Sequence, residues 1–255
     1  MKKENYFIKT LNGMAYGFFC SLIIGTILKQ LGSFTQINEL TAWGQTATYL
    51  MGPAIGVGIG CAVDAKGLNL IAAIIAGSIG AGTFNGSAAT TGNPIAAYVA
   101  VIGAIEITRF VQGKTPIDIL LVPFTAIIVA GIITIIVGPY LTKLILGIGD
   151  LINQGVNMQP ILMSIVVAVL MGMALTAPIS SAAIGVMLGL NGLAAGAALA
   201  GCCAQMIGFA MMSIEDNDIG EVIAIAIGTS MLQFKNIVQK PIIWIPPIIA
   251  SIIIA

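Results

Sequence analysis

The chain has 255 residues, of which 58% are hydrophobic and 8% charged, with a formal net charge of zero and a mean hydropathy of +1.05. A soluble domain carries about 25% charged residues, so the composition excludes a water-soluble fold and specifies an integral membrane protein. The absence of any basic tract excludes nucleic-acid binding, and the lack of histidine removes the usual general base and metal ligand.

A spanning helix needs about 20 apolar residues. The length therefore accommodates an all-α polytopic helical bundle of about eight or nine spans in a single membrane domain over residues 1–255. Residues 1–10 carry Lys2, Lys3, Glu4 and Lys9, and no small-residue cleavage site follows, so no removable signal peptide is expected. The first span is expected at 11–31 and a polar loop at 32–44. The second span, 45–63, holds glycines at four-residue intervals, a bare ridge suited to close helix packing. The third span runs over 68–82.

A polar break at 85–93 follows, and Pro94 opens the fourth span at a helical position that tolerates proline. That span ends near Glu106 and Arg109, and a hydrophilic turn covers 109–115. The fifth span, 117–137, is expected to stop at Gly138 and Pro139. Residues 140–159 are too polar to span and predict an interfacial amphipathic helix and a loop. The sixth span is 160–175.

An uncharged stretch interrupted by Thr176, Pro178, Ser180, Ser181 and Asn191 forms a second break, and the seventh span covers 191–212. Glu215, Asp216, Asp218 and Glu221 make an acidic loop. An eighth, short span over 222–232 crosses partly or re-enters, and a last apolar run occupies 241–255. With the N-terminus inside, Lys2, Lys3, Lys9, Lys66, Arg109, Lys114, Lys235 and Lys240 fall on the cytosolic side. Lys29 and Lys143 fall outside together with the acidic loop, and eight basic residues against two support a cytosolic N-terminus by the positive-inside rule.

Free backbone groups at membrane depth need partners inside the protein or in a wet cavity. Two interrupted apolar segments in the two halves of a chain point to a carrier's binding site. The candidate ligands of a solute are the uncharged groups near these breaks and in the short eighth span: Asn85, Asn93, Ser180, Ser181, Asn191, Gln205, Thr229, Ser230 and Gln233. A neutral, hydroxyl-rich solute suits their donors and acceptors; each taken singly reads as a helix-packing hydrogen bond, and it is the clustering at two breaks that singles out the set. An anion could instead use helix N-termini at the breaks.

Glu106 joins the candidates as an intramembrane acid, with an i,i+3 pair to Arg109 as the plainer reading. Asp118 reads as an acid at a helix start or as an ion-coupling group. Cys20, Cys61, Cys202 and Cys203 lack metal spacing and read as small buried residues. No nucleophile–base pair and no phosphate loop of the Gly-x-x-x-x-Gly-Lys form occurs, so neither a catalytic group, a cofactor nor a metal is expected.

Three segments carry a family likeness: GNPIAAY at 92–98, GKTPIDILLVPF at 113–124 and GTSMLQFKNI at 228–237. With them the chain resembles the membrane IIC component (EIIC) of the phosphotransferase system, in the branch that contains perfringolysin O regulator-like proteins. The resemblance covers the chain from the first span to Ile237. It implies a permease in the bacterial plasma membrane, a homodimer, a sugar-like solute, and separate soluble IIB and IIA proteins that phosphorylate the solute at the inner face. The chain would then be at most the membrane subunit of a sugar phosphotransferase complex. The last apolar run stops short of the C-terminal part that the resemblance leads one to expect. Two other readings stand beside the permease: a ligand-sensing membrane regulator, and an ion-coupled secondary transporter using Glu106 or Asp118.

Overall fold

Apolar runs become helices, and the helices end where glycine, proline or a polar cluster supplies a break. The computed structural model describes residues 6–82, 84–85, 88–89, 92–156, 159–177, 181, 184–185 and 190–255. The chain divides into two units, Met1–Leu141 and Thr142–Ala255.

In the first unit, α1 (Tyr6–Phe18) passes through a π-helical segment (Phe19–Ile23) into α2 (Ile24–Thr35). The expected loop at 32–44 is mostly helix instead. The chain turns at Gln36, with φ of 57°, and continues as α3 (Asn38–Tyr49). Its sequence is too polar to announce a buried helix. It forms because it packs along α2, where Gly44 lies against Gly25 and Lys29, and tertiary packing outweighs propensity in helices this short. The expected second span therefore splits at Leu50, and its glycine-rich part is α4 (Met51–Ala62).

Helix α4 sits between α1 and α5 (Leu68–Ala81). Gly58 of α4 approaches Gly13 of α1 so closely that a Cβ on either would meet the other's carbonyl oxygen. Gly56 meets Ala73 of α5 in the same way. Lipid supplies no hydrophobic force between helices, so backbone-to-backbone approach of this kind is what holds them.

Beyond α5 the chain leaves the helix at Gly82, with φ of 68°. It makes a two-residue antiparallel ladder, β1 (Phe84–Asn85) with β2 (Ala88–Ala89). It re-enters a helix at Pro94 as α6 (Pro94–Val111). The polar break read at 85–93 thus contains, in its described residues, a short antiparallel pairing.

Helix α7 (Asp118–Val156) has 39 residues and contains both Pro123 and Pro139. The stop expected at Gly138 and Pro139 does not occur, and the separate interfacial helix expected over 140–159 is, as far as Val156, the continuation of α7. Proline removes one backbone donor. In a non-aqueous medium the remaining carbonyls and amides find no better partner than the helix itself, so the helix tolerates it.

In the second unit, α8 (Pro160–Thr176) and α9 (Gly192–Met212) pack together, and Gly201 of α9 rests on the Ala168 backbone. Then come α10 (Ile219–Ile223), a π-helical segment (Ala224–Gly228), a 3-10 turn (Ser230–Gln233), α11 (Phe234–Gln239), a second 3-10 turn (Pro241–Trp244) and α12 (Ile245–Ile254). Helix α12 lies against both α8 and α9. The core holds Val167, Met171, Ile184 and Ala197, with a second cluster of Phe209, Ala210, Ile225 and Ile237.

Among the described residues, four helical stretches are long and apolar enough to cross a membrane: Tyr6–Thr35, Pro94–Val111, Asp118–Leu141 and Gly192–Met212. Shorter apolar helices cover Met51–Ala62, Leu68–Ala81, Pro160–Thr176, Ile219–Gly228 and Pro241–Ile254. Ile135, Ile161 and Ile253 are fully presented on the outside, as lipid-facing side chains are. Cys20, Cys61 and Cys203 are exposed as well. They are outward-facing rather than the buried residues that their apolar surroundings suggested.

Candidate functional site

The polar centre of the second unit forms where a helix gives out. The π-helical segment ends at Gly228, and Thr229 is fully extended, with φ of −165° and ψ of 140°. The Thr229 hydroxyl then accepts a hydrogen bond from the Met231 amide at 3.1 Å and starts the 3-10 turn. This local cap turns Ser230 inward. Its hydroxyl lies 2.8 Å from that of Thr176, the last residue of α8.

From there the network spreads. The Thr176 hydroxyl is also 3.1 Å from the Gly172 carbonyl and 3.4 Å from Gln205 Oε1. Trp244 Nε1 donates to Gln205 Oε1 at 3.2 Å, and Gln205 Nε2 reaches Ser251 Oγ at 3.5 Å. Thr176, Gln205, Ser230 and Ser251 are wholly inaccessible. Four chain segments thus meet through neutral donors and acceptors.

A hydroxyl has one proton to give. If Ser230 donates to Thr176, the Thr176 proton serves either Gly172 or Gln205, and the network has more than one arrangement. Each such bond contributes about 1 kcal/mol net, and an orphaned partner costs about 1–3 kcal/mol. None of these network side chains is ionisable near neutral pH, so the network is neutral throughout.

The other candidates are placed differently. Gln233 is buried, and its Oε1 accepts from Asn236 Nδ2 at 2.6 Å. Ser181 is buried in the second unit. Asn191 stands in extended backbone at the start of α9. Ser180 lies outside the described residues. The backbone of Thr176 and Asn191 fixes both edges of the second break: α8 ends at the first, and α9 begins just after the second.

In the first unit, Asn85 belongs to β1. Asn93 caps α6: its Oδ1 accepts from the amides of Ile95 at 2.9 Å and Ala96 at 3.2 Å. Its own amide donates to the Ala81 carbonyl at 2.9 Å. Glu106 is a tie between elements. Its Oε1 accepts from Arg109 Nη1 at 2.7 Å and from the Tyr6 hydroxyl at 2.5 Å. Arg109 Nη2 donates in turn to the Val63 carbonyl at the end of α4. Asp118 accepts from the Thr115 hydroxyl at 2.7 Å and from the Gly113 amide, and it anchors the turn before α7.

Sequence reasoning missed Trp244 and Ser251, which complete the network, and Thr10 and Tyr98, whose hydroxyls meet at 2.8 Å. It also missed Asn69, which donates to Gln112. Each is a polar group within or beside an apolar run, and that signal was available. What the sequence does not reveal is which of them share a neighbourhood.

Interrupted apolar helices and a buried, uncharged polar network define a polytopic helical membrane protein. The chain belongs to the EIIC family of the phosphotransferase system: the family model described as "Phosphotransferase system, EIIC" matches residues 8–255. Neither the curated proteins nor the solved structures gave a match.

Proposed function

We propose that the chain is the membrane permease of a phosphotransferase system and passes a small, uncharged, hydroxyl-rich solute of sugar type across the bilayer. The observation that carries this reading is the network of Thr176, Gln205, Ser230 and Trp244 beside the break at Thr229. Unwound backbone at membrane depth, lined by hydroxyls and amides, is the arrangement carriers use to bind a solute between helices. The alternative donor choices of Thr176 would let solute hydroxyls exchange with internal partners at small net cost.

In this reading Ser180, Ser181, Asn191, Thr229 and Gln233 contribute further polar groups from the second break and the unwound turn. Glu106, already bonded to Tyr6 and Arg109, helps to position the end of α6. Soluble IIB and IIA proteins phosphorylate the arriving solute on the cytosolic side, where the N-terminus also lies. The working unit is a homodimer in the cell membrane.

The test is uptake of labelled hexoses and hexitols into proteoliposomes loaded with the soluble phosphotransfer proteins and phosphoenolpyruvate. Accumulation of a phosphorylated sugar that stops without those proteins supports the reading. Accumulation driven by a proton or sodium gradient alone contradicts it, as does binding with no accumulation.

A further inference from the structure

At the C-terminal end of α9 a cavity of about 410 Å³ opens beside the acidic loop. Its polar lining comes from Asp216, Asn217, Gln233, Asn236, Gln239 and Lys240. Phe209, Met212 and Ile243 supply an apolar side. The volume lies within the ordinary range of small-molecule sites, about 300–1,000 Å³. Asp216, Asn236, Gln239 and Lys240 are exposed at the mouth, whereas Phe209, Ser213 and Gln233 are buried. Helix α9 is long and apolar enough to cross a membrane, and in the permease reading its end and this cavity belong to the outer face. Because Asp216 and Lys240 line the same cavity, this reading puts Lys240 beside the acidic loop and replaces the cytosolic placement that the charge count gave it.

We infer that this cavity is a loading site where an unphosphorylated monosaccharide or sugar alcohol binds before it reaches the break at Thr229. The inference rests on the permease reading and extends it to a place at the membrane face.

The chemistry of the lining sets the ligand class. Carboxamides each offer a donor and an acceptor, which match the mixed hydroxyls of a polyol. One carboxylate and one ammonium cancel, so the lining favours a neutral ligand over a free anion or cation. The apolar side, with an aromatic ring in its floor, suits the C–H face of a sugar. The bond from Asn236 Nδ2 to Gln233 Oε1, 2.6 Å, fixes these two amides in advance. It leaves Gln233 Nε2 and Asn236 Oδ1 as the remaining donor and acceptor of the pair. Gln233 closes the same 3-10 turn that Ser230 opens. One side chain thus connects the cavity to the segment that carries the buried network.

The two tryptophans, Trp43 and Trp244, provide a direct readout. Trp244 follows Ile243 of the cavity wall and donates to Gln205. In a Trp43→Phe variant it is the sole emitter. This variant is placed in phosphatidylcholine nanodiscs, because maltoside detergents carry a sugar headgroup. It is titrated with glucose, galactose, fructose and mannitol, and with glucose 6-phosphate.

A saturable change in Trp244 emission with at least one neutral member, and a weaker one with the phosphate ester, is expected. Asn236→Leu and Gln239→Leu should each weaken that binding about tenfold, the loss of about 1.4 kcal/mol. Both side chains lie at the exposed mouth. Asn236→Leu also removes the donor to buried Gln233, so Gln239→Leu serves as the second variant and the emission of the empty protein checks the folding of both. Asp216→Lys should raise the affinity for glucose 6-phosphate.

No response to any neutral member overturns the inference, as does an affinity unchanged within about twofold in both leucine variants. Sugar uptake by the wild type with an unchanged KM in those variants removes the cavity and leaves the permease reading standing. Absence of phosphotransfer-dependent uptake removes the permease reading itself.

Discussion

The two units use small and polar residues for different ends. In the first, glycines bring α1, α4 and α5 to backbone contact, and apart from the buried hydroxyl pair of Thr10 and Tyr98 the main polar ties sit near helix ends. Asn93 caps α6, Asp118 anchors the turn before α7, and Glu106 with Arg109 ties α6 to Tyr6 and Val63. In the second, hydroxyls and amides meet in the interior, where Thr176, Gln205, Ser230 and Ser251 have no exposure at all. A polar group at a helix end can be satisfied by the orphan amides and carbonyls that every helix leaves there. A polar group placed in the interior is satisfied by other side chains and by the carbonyls of its own helix. The first unit sets its polar groups mainly at helix ends, and the second pairs them in its interior.

That contrast can be broken experimentally. Gly58→Val should have the largest effect, because the new side chain would meet the Gly13 carbonyl oxygen with no flexible group to yield. A loss of about 3 kcal/mol is expected from overpacking against backbone, measured as the unfolding midpoint in mixed micelles. Gln205→Leu comes next, at about 2 kcal/mol, since Trp244 Nε1 and the Ser251 and Thr176 hydroxyls lose a shared partner. Its uptake should fall further than its stability. Glu106→Gln is the mildest. The ion pair with Arg109 is partly exposed, and its loss costs below about 1 kcal/mol. Gln keeps an acceptor for Tyr6, so uptake within about twofold of wild type is expected. Abolished uptake would instead make Glu106 an ion-coupling group.

Much of the fold was legible because lipid imposes a simple rule, in which long apolar runs become helices. The ends of α5, α6, α8 and α9 follow from Gly82, Pro94, Thr176 and Asn191. The errors arose where that rule is silent. Helix α3 carries Asn38, Glu39 and Thr41, and it packs along α2 with Gly44 against Gly25. Helix α7 runs through Pro139 because the surrounding medium offers its backbone no alternative.

The network was half visible. Gln205, Thr229 and Ser230 stood out as polar groups within apolar sequence. Their partners Trp244 and Ser251 come from a segment that reads as a plain hydrophobic tail, and only the packing of α12 on α8 and α9 brings them in. Asn93 and Glu106 stood out for the same reason as Gln205, yet their bonds are a helix cap and a surface tie. Polarity in an apolar run marks a residue as constrained, and only its neighbours tell which constraint.

The sharpest measurement removes one hydroxyl at the break and leaves the backbone alone. In Ser230→Ala, Thr176 retains the Gly172 carbonyl as an acceptor, so the unfolding midpoint should move little. Phosphotransfer-dependent sugar uptake should drop about tenfold or more, the loss of about 1.4 kcal/mol. Uptake equal to wild type in that variant, with an unchanged midpoint, would contradict the claim that the unwound segment at Thr229 handles the solute.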